Sequence, residues 1–338
     1  MVTIKDIAKA AGVSHTTVSR ALNDNPAISP ATRARIQDLA RNMGYTPSAV
    51  AQSLLSQRTR TVGMVVTTIA DPFVVQVVAG VESVAQQAGY GVFLCNSHDD
   101  PQREIDVVDT LHRRRVDVII VTSSRVGSLY TAQLDRMRVP IVLINNQSEG
   151  QYLYSVAADD IQGAQLAVEH LLGLGHRRIG YVGTVRRPRS SERRLTGYRQ
   201  ALEQAGIISE PVLMHASSTK NDLERGTEAL AQLLAAKATA VFCYNDIIAI
   251  SLLQACRRQG VAVPQQLSVV GFDNIDAARY VTPALTTVHQ PRLELGQLAM
   301  QMALDLLDGH TVHDRLVPCQ LVIRETTATP EKIPSLKV

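Results

Sequence analysis

Three apolar stripes at helical spacing open the chain. Ile4, Ile7, Ala8 and Ala11 form the first, Val18, Ala21 and Leu22 the second, and Ile36, Leu39, Ala40 and Met43 the third. Each has the three-and-four recurrence of a helix with one buried face. The residues between them punctuate. Thr3 followed by Asp6 has the form of a capping box, Gly12 can end the first helix in a left-handed turn with Val13 plugging it, and Ser14 caps the second helix. Ser29-Pro30 places an N-cap before a proline at the first helical position, and Gly44 closes that helix. Helix, short glycine turn, helix, loop and supporting helix make a helix-turn-helix. On the second helix the face opposite the stripe carries His15, Thr16, Ser19 and Arg20. Three compact polar side chains and one arginine suit a helix that lies in a DNA major groove, where larger residues would hold it off the base edges and acidic ones would be repelled by phosphate.

From Thr61 the period changes. Apolar runs at Val62–Val66, Val92–Cys95, Val116–Val121 and Ile141–Ile144 predict buried parallel strands, with helical periodicity near 73–88, 101–114 and 127–137. The scheme then repeats, with strands at Ile179–Val182, Val212–Met214, Ala240–Cys243 and Ser268–Gly271 and helices near 160–173, 192–205, 220–235 and 246–259. Two such arrays predict two Rossmann-like subdomains across a cleft. Between the two regimes, Pro47 interrupts the third helix and Ser48 can cap a short segment bearing Val50, Ala51, Leu54 and Leu55, too short to be stable alone. The stretch beyond Thr329 is polar and proline-broken, a pattern that predicts fraying.

Composition changes this picture at one point. The 338 residues are 45% hydrophobic and 19% charged with a net charge of +3, ordinary values for a globular chain of two or three domains. Residues 1–60, however, hold eight Lys and Arg against three Asp, a net +5 that leaves −2 for all the rest. A basic end is the asymmetry expected where that end meets nucleic acid, although a solvated basic face would look the same. No apolar run approaches the ~20 residues a bilayer crossing needs. The start of the chain also lacks a signal-peptide pattern, which argues for a cytoplasmic protein. Cys95, Cys243, Cys256 and Cys319 lie far apart, and the nine histidines lack ligand spacing, so neither a disulfide framework nor a metal site is expected. No strand is followed by a glycine-rich nucleotide loop and no catalytic signature appears, which argues for no cofactor and against an enzyme.

The run from Val2 to Asn23, Val-Thr-Ile-Lys-Asp-Ile-Ala-Lys-Ala-Ala-Gly-Val-Ser-His-Thr-Thr-Val-Ser-Arg-Ala-Leu-Asn, resembles the N-terminal signature of the LacI/GalR family of bacterial repressors. The resemblance implies that His15, Thr16 and Arg20 read bases, Arg20 as a bidentate partner for guanine. It implies phosphate contacts for Thr3, Ser14, Thr17, Ser19, Asn23 and Thr32, with helix capping the competing reading at Thr3 and Ser14. It also implies that Tyr45–Leu55 holds a hinge helix, in which Ser48, Ala51 and Leu54 face the minor groove and Leu54 acts as the wedge. A plain linker is the alternative.

The remaining chain resembles the family's periplasmic-binding-protein-like core in Asp71-Pro-Phe73, Leu174–Gly183, Arg194–Tyr198, Ala240–Asp246, Val263–Asn274 and Pro283–Pro291. Ligands of such folds bind beyond the carboxyl ends of the strands. Asp71, Ser124, Asn145, Asn245 and Asp273 fall at those ends, with Arg194 opening a helix that faces them and Phe73 as an apolar wall. Carboxylates, amides and an arginine fork suit vicinal hydroxyls, so a sugar is the first expectation. Two departures qualify it: His215–Thr219 lacks the aromatic residue the family often has there, and Arg186–Arg194, read as a loop, is unusually basic, which would admit a phosphorylated sugar or carboxylate.

The expected architecture is therefore a small all-α helix-turn-helix DNA-binding domain (1–46), a hinge helix and linker (47–60), an α/β core of two Rossmann-like subdomains (61–330) and a tail (331–338). Within the core, about 61–157 with 291–317 forms one subdomain, and about 161–286 with 320–329 the other. The expected function is a repressor that binds a pseudo-palindromic double-stranded DNA operator as a homodimer, away from membranes, with its affinity set by a small carbohydrate effector. Control by a protein partner or by a non-sugar ligand such as a phosphorylated sugar, carboxylate or purine is the alternative.

Overall fold

The computed structural model describes residues 2–46, 58–124, 126, 139–146, 153–184, 188–207, 213–214 and 222–330. The expected hinge residues Ser48, Ala51 and Leu54, the helix expected at 127–137, the stretch 215–219 and the tail 331–338 lie outside them. The chain divides into two compact units, Met1–Thr59 and Arg60–Val338.

In the first unit, α1 (Ile4–Ala11), α2 (His15–Leu22) and α3 (Pro30–Asn42) close on a small core of Ile7, Ala8, Ala11, Val18, Ala21, Ile36 and Ala40. Local chemistry sets the three helix starts and the end of α1. The Thr3–Asp6 capping box is formed in both directions, and Gly12 ends α1 at a φ of 65°. Ser14 caps α2 by accepting from the Thr17 amide, and Ser29 caps α3 ahead of Pro30. Core residues this small let the helices approach closely, so the fold rests on caps and turns as much as on apolar area.

The second unit holds two six-stranded sheets. The first runs β11-β5-β4-β3-β1-β2, built from β1 (Thr61–Val66), β2 (Gly91–Asn96), β3 (Val118–Thr122), β4 (Ile141–Ile144), β5 (Leu153–Ala158) and β11 (Arg315–Val317), all parallel. The second runs β12-β10-β9-β8-β6-β7, built from β6 (Ile179–Val182), β7 (Leu213–Met214), β8 (Ala240–Cys243), β9 (Ser268–Asp273), β10 (Thr286–His289) and β12 (Gln320–Val322). There β12 alone is antiparallel to its neighbour among the described pairings. In each sheet the chain goes out to an edge strand and returns past the first strand, the reversal that opens a crevice at the strands' carboxyl ends.

The helices fill in accordingly: α4 (Pro72–Gln87), α5 (Pro101–Arg113), α6 (Asp160–Gly173), α7 (Pro188–Gln204), α8 (Asp222–Ala235), α9 (Asp246–Gln259), the short α10 (Ala277–Tyr280) and α11 (Arg292–Leu307). The chain passes between sheets after β5, after β10 and after β11, so α11 packs on α4 and on strands of the first sheet. The two helices meet at Gly80 and Gly296, where an added Cβ would lie 2.1 Å from the Leu293 carbonyl and 2.2 Å from that of Val77. Only glycine permits that crossing.

The structure corrects one expectation here. The basic stretch ending at Arg194 is not a loop throughout: α7 begins at Pro188, a residue tolerated in a first helical turn because no amide hydrogen is needed there. Arg194 therefore sits in the second turn of α7 rather than at its start.

Candidate functional sites

On α2 the core residues Val18 and Ala21 are fully buried, while His15, Thr16 and Arg20 are exposed on the other side. Among the described residues none of the three side chains makes a hydrogen bond, so each can meet a partner without cost to the fold. Ser19 is half-buried, and its carbonyl accepts from Asn23 Nδ2 at 2.9 Å. Of the expected phosphate-contact hydroxyls, those of Thr3, Ser14, Thr17 and Thr32 have local bonds. Thr3 Oγ1 donates to Asp6 Oδ2 at 2.7 Å, Ser14 Oγ and Thr17 Oγ1 lie 2.9 Å apart, and Ser29 Oγ donates to Thr32 Oγ1 at 2.9 Å. Those bonds with Thr3 hold the Asp6 carboxyl below its usual range. Ser14 and Thr32 also sit at helix N-termini, where unpaired amides and the helix dipole favour an anion.

Several arginines of this unit are engaged in local contacts. Arg33 donates to the carbonyls of Asn25 and Ile28, Arg35 to that of Ala11, and Arg41 pairs with Asp38. Arg33 thus ties the loop before α3 to that helix, Arg35 ties α3 to the end of α1, and the Arg41–Asp38 pair lies within α3. Lys5, Lys9 and Arg20 are exposed.

In the second unit a cavity of about 500 Å³ opens at the carboxyl ends of both sheets. Asp71, Phe73, Asn145, Arg194, Asn245 and Asp273, all expected from the sequence, line it together. Ser124 does not: its hydroxyl donates to Glu104 and accepts from the Val126 amide at 3.2 Å, while Ser123, held at a φ of 50°, takes the lining position. Both serines follow the end of β3, and the left-handed backbone at Ser123 accompanies its place in the lining.

Each lining residue is held by its own element. Asp71 caps α4 through the Phe73 amide at 2.9 Å, and Asn245 caps α9 through the Ile248 amide at 2.9 Å. The other end of Asn245 donates to Asp222 Oδ2 at 2.7 Å. Asn145, also left-handed at a φ of 55°, accepts from the Ala158 amide and donates to Gln290 Oε1 at 3.0 Å. Gln290 in turn donates to Asp273 Oδ1 at 2.5 Å. This buried glutamine, on the segment between β10 and α11, thus joins the ends of β4 and β9 across the two sheets.

Arg194 is the centre of the cavity wall, with its side chain 3% exposed. Its Nε donates to Asp160 Oδ1 at 2.8 Å and its Nη1 to the Tyr244 carbonyl at 2.5 Å, with Asp273 Oδ1 at 3.6 Å. The guanidinium lies over Phe272 at 3.7 Å and over Tyr244 at 4.4 Å from the ring centroids. Burial opposes its charge, but Asp160, Tyr244 and Asp273 together hold it protonated beyond its ordinary range. Burial also pushes the Asp273 carboxyl up to about 7, against the pull of Arg194 and with the added repulsion of Asp71. Below it, the wholly buried Asp246 is raised well above the carboxylate range by burial and by Asp273, while it accepts from the Ile275 amide and the Thr287 hydroxyl.

Sequence reasoning missed Ser123, Ser190, Asp222, Tyr244 and Gln290 in the lining. Tyr244 directly follows β8, so the strand-end rule that found Asn245 covers it equally. Of the arginines in the basic stretch that are described, Arg194 alone lines this cavity. Arg189 and Arg193 line an adjoining pocket of about 180 Å³ that shares Asn145 and Ser190 with the cavity, with Arg189 donating to Asn146 Oδ1 at 2.9 Å and Arg193 3.9 Å from Asp159. Among the described residues no cluster of His, Cys, Asp or Glu could hold a metal ion, and no helix is long and apolar enough to cross a membrane.

Comparison with known proteins places these sites in context. Residues 3–48 match the family described as bacterial regulatory proteins, lacI family, and residues 168–327 match the periplasmic binding protein-like domain. The HTH-type transcriptional repressor CytR of Escherichia coli K12 is 36% identical over 329 residues, 96% of either chain. The lac repressor dimer bound to operator and the anti-inducer ONPF superposes with a TM-score of 0.85 at 28% identity, covering 97% of this chain and 99% of that one. A LacI family transcriptional regulator from Enterococcus faecium with bound ribose superposes with a TM-score of 0.72 at 30% identity, covering 80% of this chain and 99% of that one.

Proposed function

The chain belongs to the LacI family of bacterial transcriptional regulators, and from that premise we propose a homodimeric repressor whose operator affinity is set by a carbohydrate bound in the cavity of the second unit. His15, Thr16 and Arg20 would read base edges. Two-fold symmetry would match two copies of α2 to two half-sites, as a pseudo-palindromic operator requires. Leu54, with Ser48 and Ala51, remains the proposed minor-groove element.

One observation carries the effector class. A buried arginine and a buried carboxylate, Arg194 and Asp273, stand together at the sheets' carboxyl ends beside the Phe73 ring, in a cavity whose lining also holds the amides of Asn145, Asn245 and Gln290, the carboxylates of Asp71 and Asp222, and apolar residues such as Leu223 and Ile247. Such a set hydrogen-bonds vicinal hydroxyls at the rim of a ring while the apolar face of that ring rests on the aromatic wall. The ribose-bound relative supports the same class. A phosphorylated ligand is disfavoured, because among the described lining residues Asp71, Asp222 and Asp273 outnumber the one guanidinium.

Because the lining comes from both sheets, a ligand there favours one degree of closure of the two subdomains. That differential affinity is what can reach the reading helices, and a coupling of about 1–3 kcal/mol would change operator affinity by about one to two powers of ten. Calorimetry of the full chain against neutral sugars, paired with operator titrations, tests the reading. Binding that alters operator affinity in the parent chain and is lost in Asp273→Ala supports it. No neutral sugar binding at about 10 mM, or a response that survives Asp273→Ala, overturns it.

A further inference from the structure

The first two turns of α7 present two neighbouring stripes. Ser190 and Arg194, four positions apart, line the cavity, while Arg189 and Arg193, also four apart, line the adjoining pocket. A helix produces that offset, since residues four apart share a face and the next such pair is turned beside it. Among its described residues, the basic stretch that ends at Arg194 is thus shared between two spaces.

The two spaces have walls in common. Asn145 and Ser190 line both. Arg194 lines the cavity and Asp160 the pocket, so the 2.8 Å contact between Arg194 Nε and Asp160 Oδ1 belongs to each. Ser190 Oγ lies 2.8 Å from the hydroxyl of Tyr244 in the cavity lining. On the pocket side, Arg189 Nη1 donates to Asn146 Oδ1 at 2.9 Å, and Asn146 Nδ2 donates to the Ser124 carbonyl at 2.7 Å. Asn146 follows β4 of the first sheet, and α7 follows β6 of the second, so the pocket is lined from both subdomains as the cavity is.

A single sugar ring held by Arg194, Asp273 and Phe73 occupies the cavity alone. The described lining of the pocket beside it mixes donors and acceptors: an amide on Asn146, a hydroxyl on Ser190, carboxylates on Asp160 and Glu192, guanidiniums on Arg189 and Arg193. A sugar hydroxyl donates and accepts at once, so a second hydroxylated ring can pair with such a mixture. An ionic group of either sign would meet like charge there as well as opposite.

We propose that the effector is a neutral disaccharide, with one ring in the cavity and the other in the adjoining pocket, where Arg189 and Arg193 set the preference for two rings over one. The proposal rests on the carbohydrate reading above and narrows it.

Calorimetry of the full chain tests it, with maltose, cellobiose, lactose, sucrose and trehalose each compared with its constituent monosaccharides. D-ribose, adenosine and glucose 6-phosphate serve as further probes. The expected result is a disaccharide that binds about tenfold or more tightly than either of its units. That advantage should fall toward one in R189A or R193A, where an exposed and a half-buried side chain are shortened, while thermal unfolding stays cooperative. A monosaccharide that binds as tightly as any disaccharide overturns the proposal and leaves the carbohydrate reading standing. So does a disaccharide advantage that survives in both variants. Tightest binding by adenosine or by the phosphate overturns the proposal as well, because the second unit is then not a sugar. No binding by any sugar overturns both readings.

Discussion

The two sites of this chain carry their chemistry in opposite ways. On α2 the proposed reading residues His15, Thr16 and Arg20 are exposed and stand clear of the core formed by Val18 and Ala21. In the cavity the corresponding residues are the structure: Arg194 and Asp273 are buried, bonded to each other's neighbours, and tied through Gln290 and Asn145 to both sheets. A surface reader can therefore change specificity at little cost in stability, whereas a cavity residue cannot be altered without touching the fold. That difference is measurable, and the sharpest break should come where burial is deepest.

Arg194→Met tests it hardest. Methionine keeps much of the side-chain volume but leaves Asp160, Asp273 and the Tyr244 carbonyl without their shared donor. Breaking a buried pair of this kind costs about 3–5 kcal/mol, so denaturant unfolding of the second unit should shift by that amount. A loss of ligand binding with unchanged unfolding would show Arg194 to be as dispensable to the fold as a surface reader.

Arg20→Ala is the matching experiment on α2. Loss of a bidentate base contact costs about 1–3 kcal/mol of discrimination at one operator position, with the melting curve unchanged. Binding-site selection on randomised duplexes checks it. Equal weakening on every sequence would make Arg20 a phosphate contact instead.

Asp273→Asn should move stability the other way. The folded carboxyl titrates near 7, above the unfolded value of about 3.9, so the folded state binds the extra proton. The resulting destabilisation is absent below about pH 4, grows through the window between, and is complete above about pH 7. The asparagine variant should therefore be more stable than the parent by about 1–3 kcal/mol at pH 8 and equal to it at pH 4. A pH-independent difference would place the effect in packing rather than charge.

How much of this was readable beforehand follows the same division. The three helix starts and the end of α1 in the first unit are each set by a residue within a few positions: Thr3 with Asp6, Gly12, Ser14, Ser29 with Pro30. Strands buried on both faces were equally plain, and Ile141–Ile144, Ile179–Val182 and Ala240–Cys243 fall where their apolar runs do. The strand β5 was not, because Tyr154 and Ser155 interrupt its apolar run, and the short β11 and β12 exist only as partners of β5 and β10. In the cavity, residues that follow a strand were found, but Gln290 lies on a crossing segment and Asp222 in the first turn of α8. Only the threefold passage of the chain between sheets brings Gln290 to Asn145, 145 positions away. Ser123 rather than Ser124 lines the cavity, and its left-handed backbone is a feature that no periodicity encodes.

Ser14 is where the comparison itself can be sharpened, because fold and contact meet there on one hydroxyl. It accepts from the Thr17 amide at 3.1 Å, and it lies at the end of α2 where a phosphate would find free amides. Ser14→Ala removes cap and contact together and should cost about 1 kcal/mol of stability with a matching loss of operator affinity. Ser14→Asp keeps the cap, because a carboxylate accepts from the same amide, but places a negative charge against the DNA backbone. If Ser14 only caps and stands clear of phosphate, the aspartate variant should bind operator as the parent does. If it also touches phosphate, that variant should fold like the parent yet bind operator more weakly than the alanine variant does. The second outcome is expected, and it would mark Ser14 as the one position on this helix where the first unit behaves like the cavity.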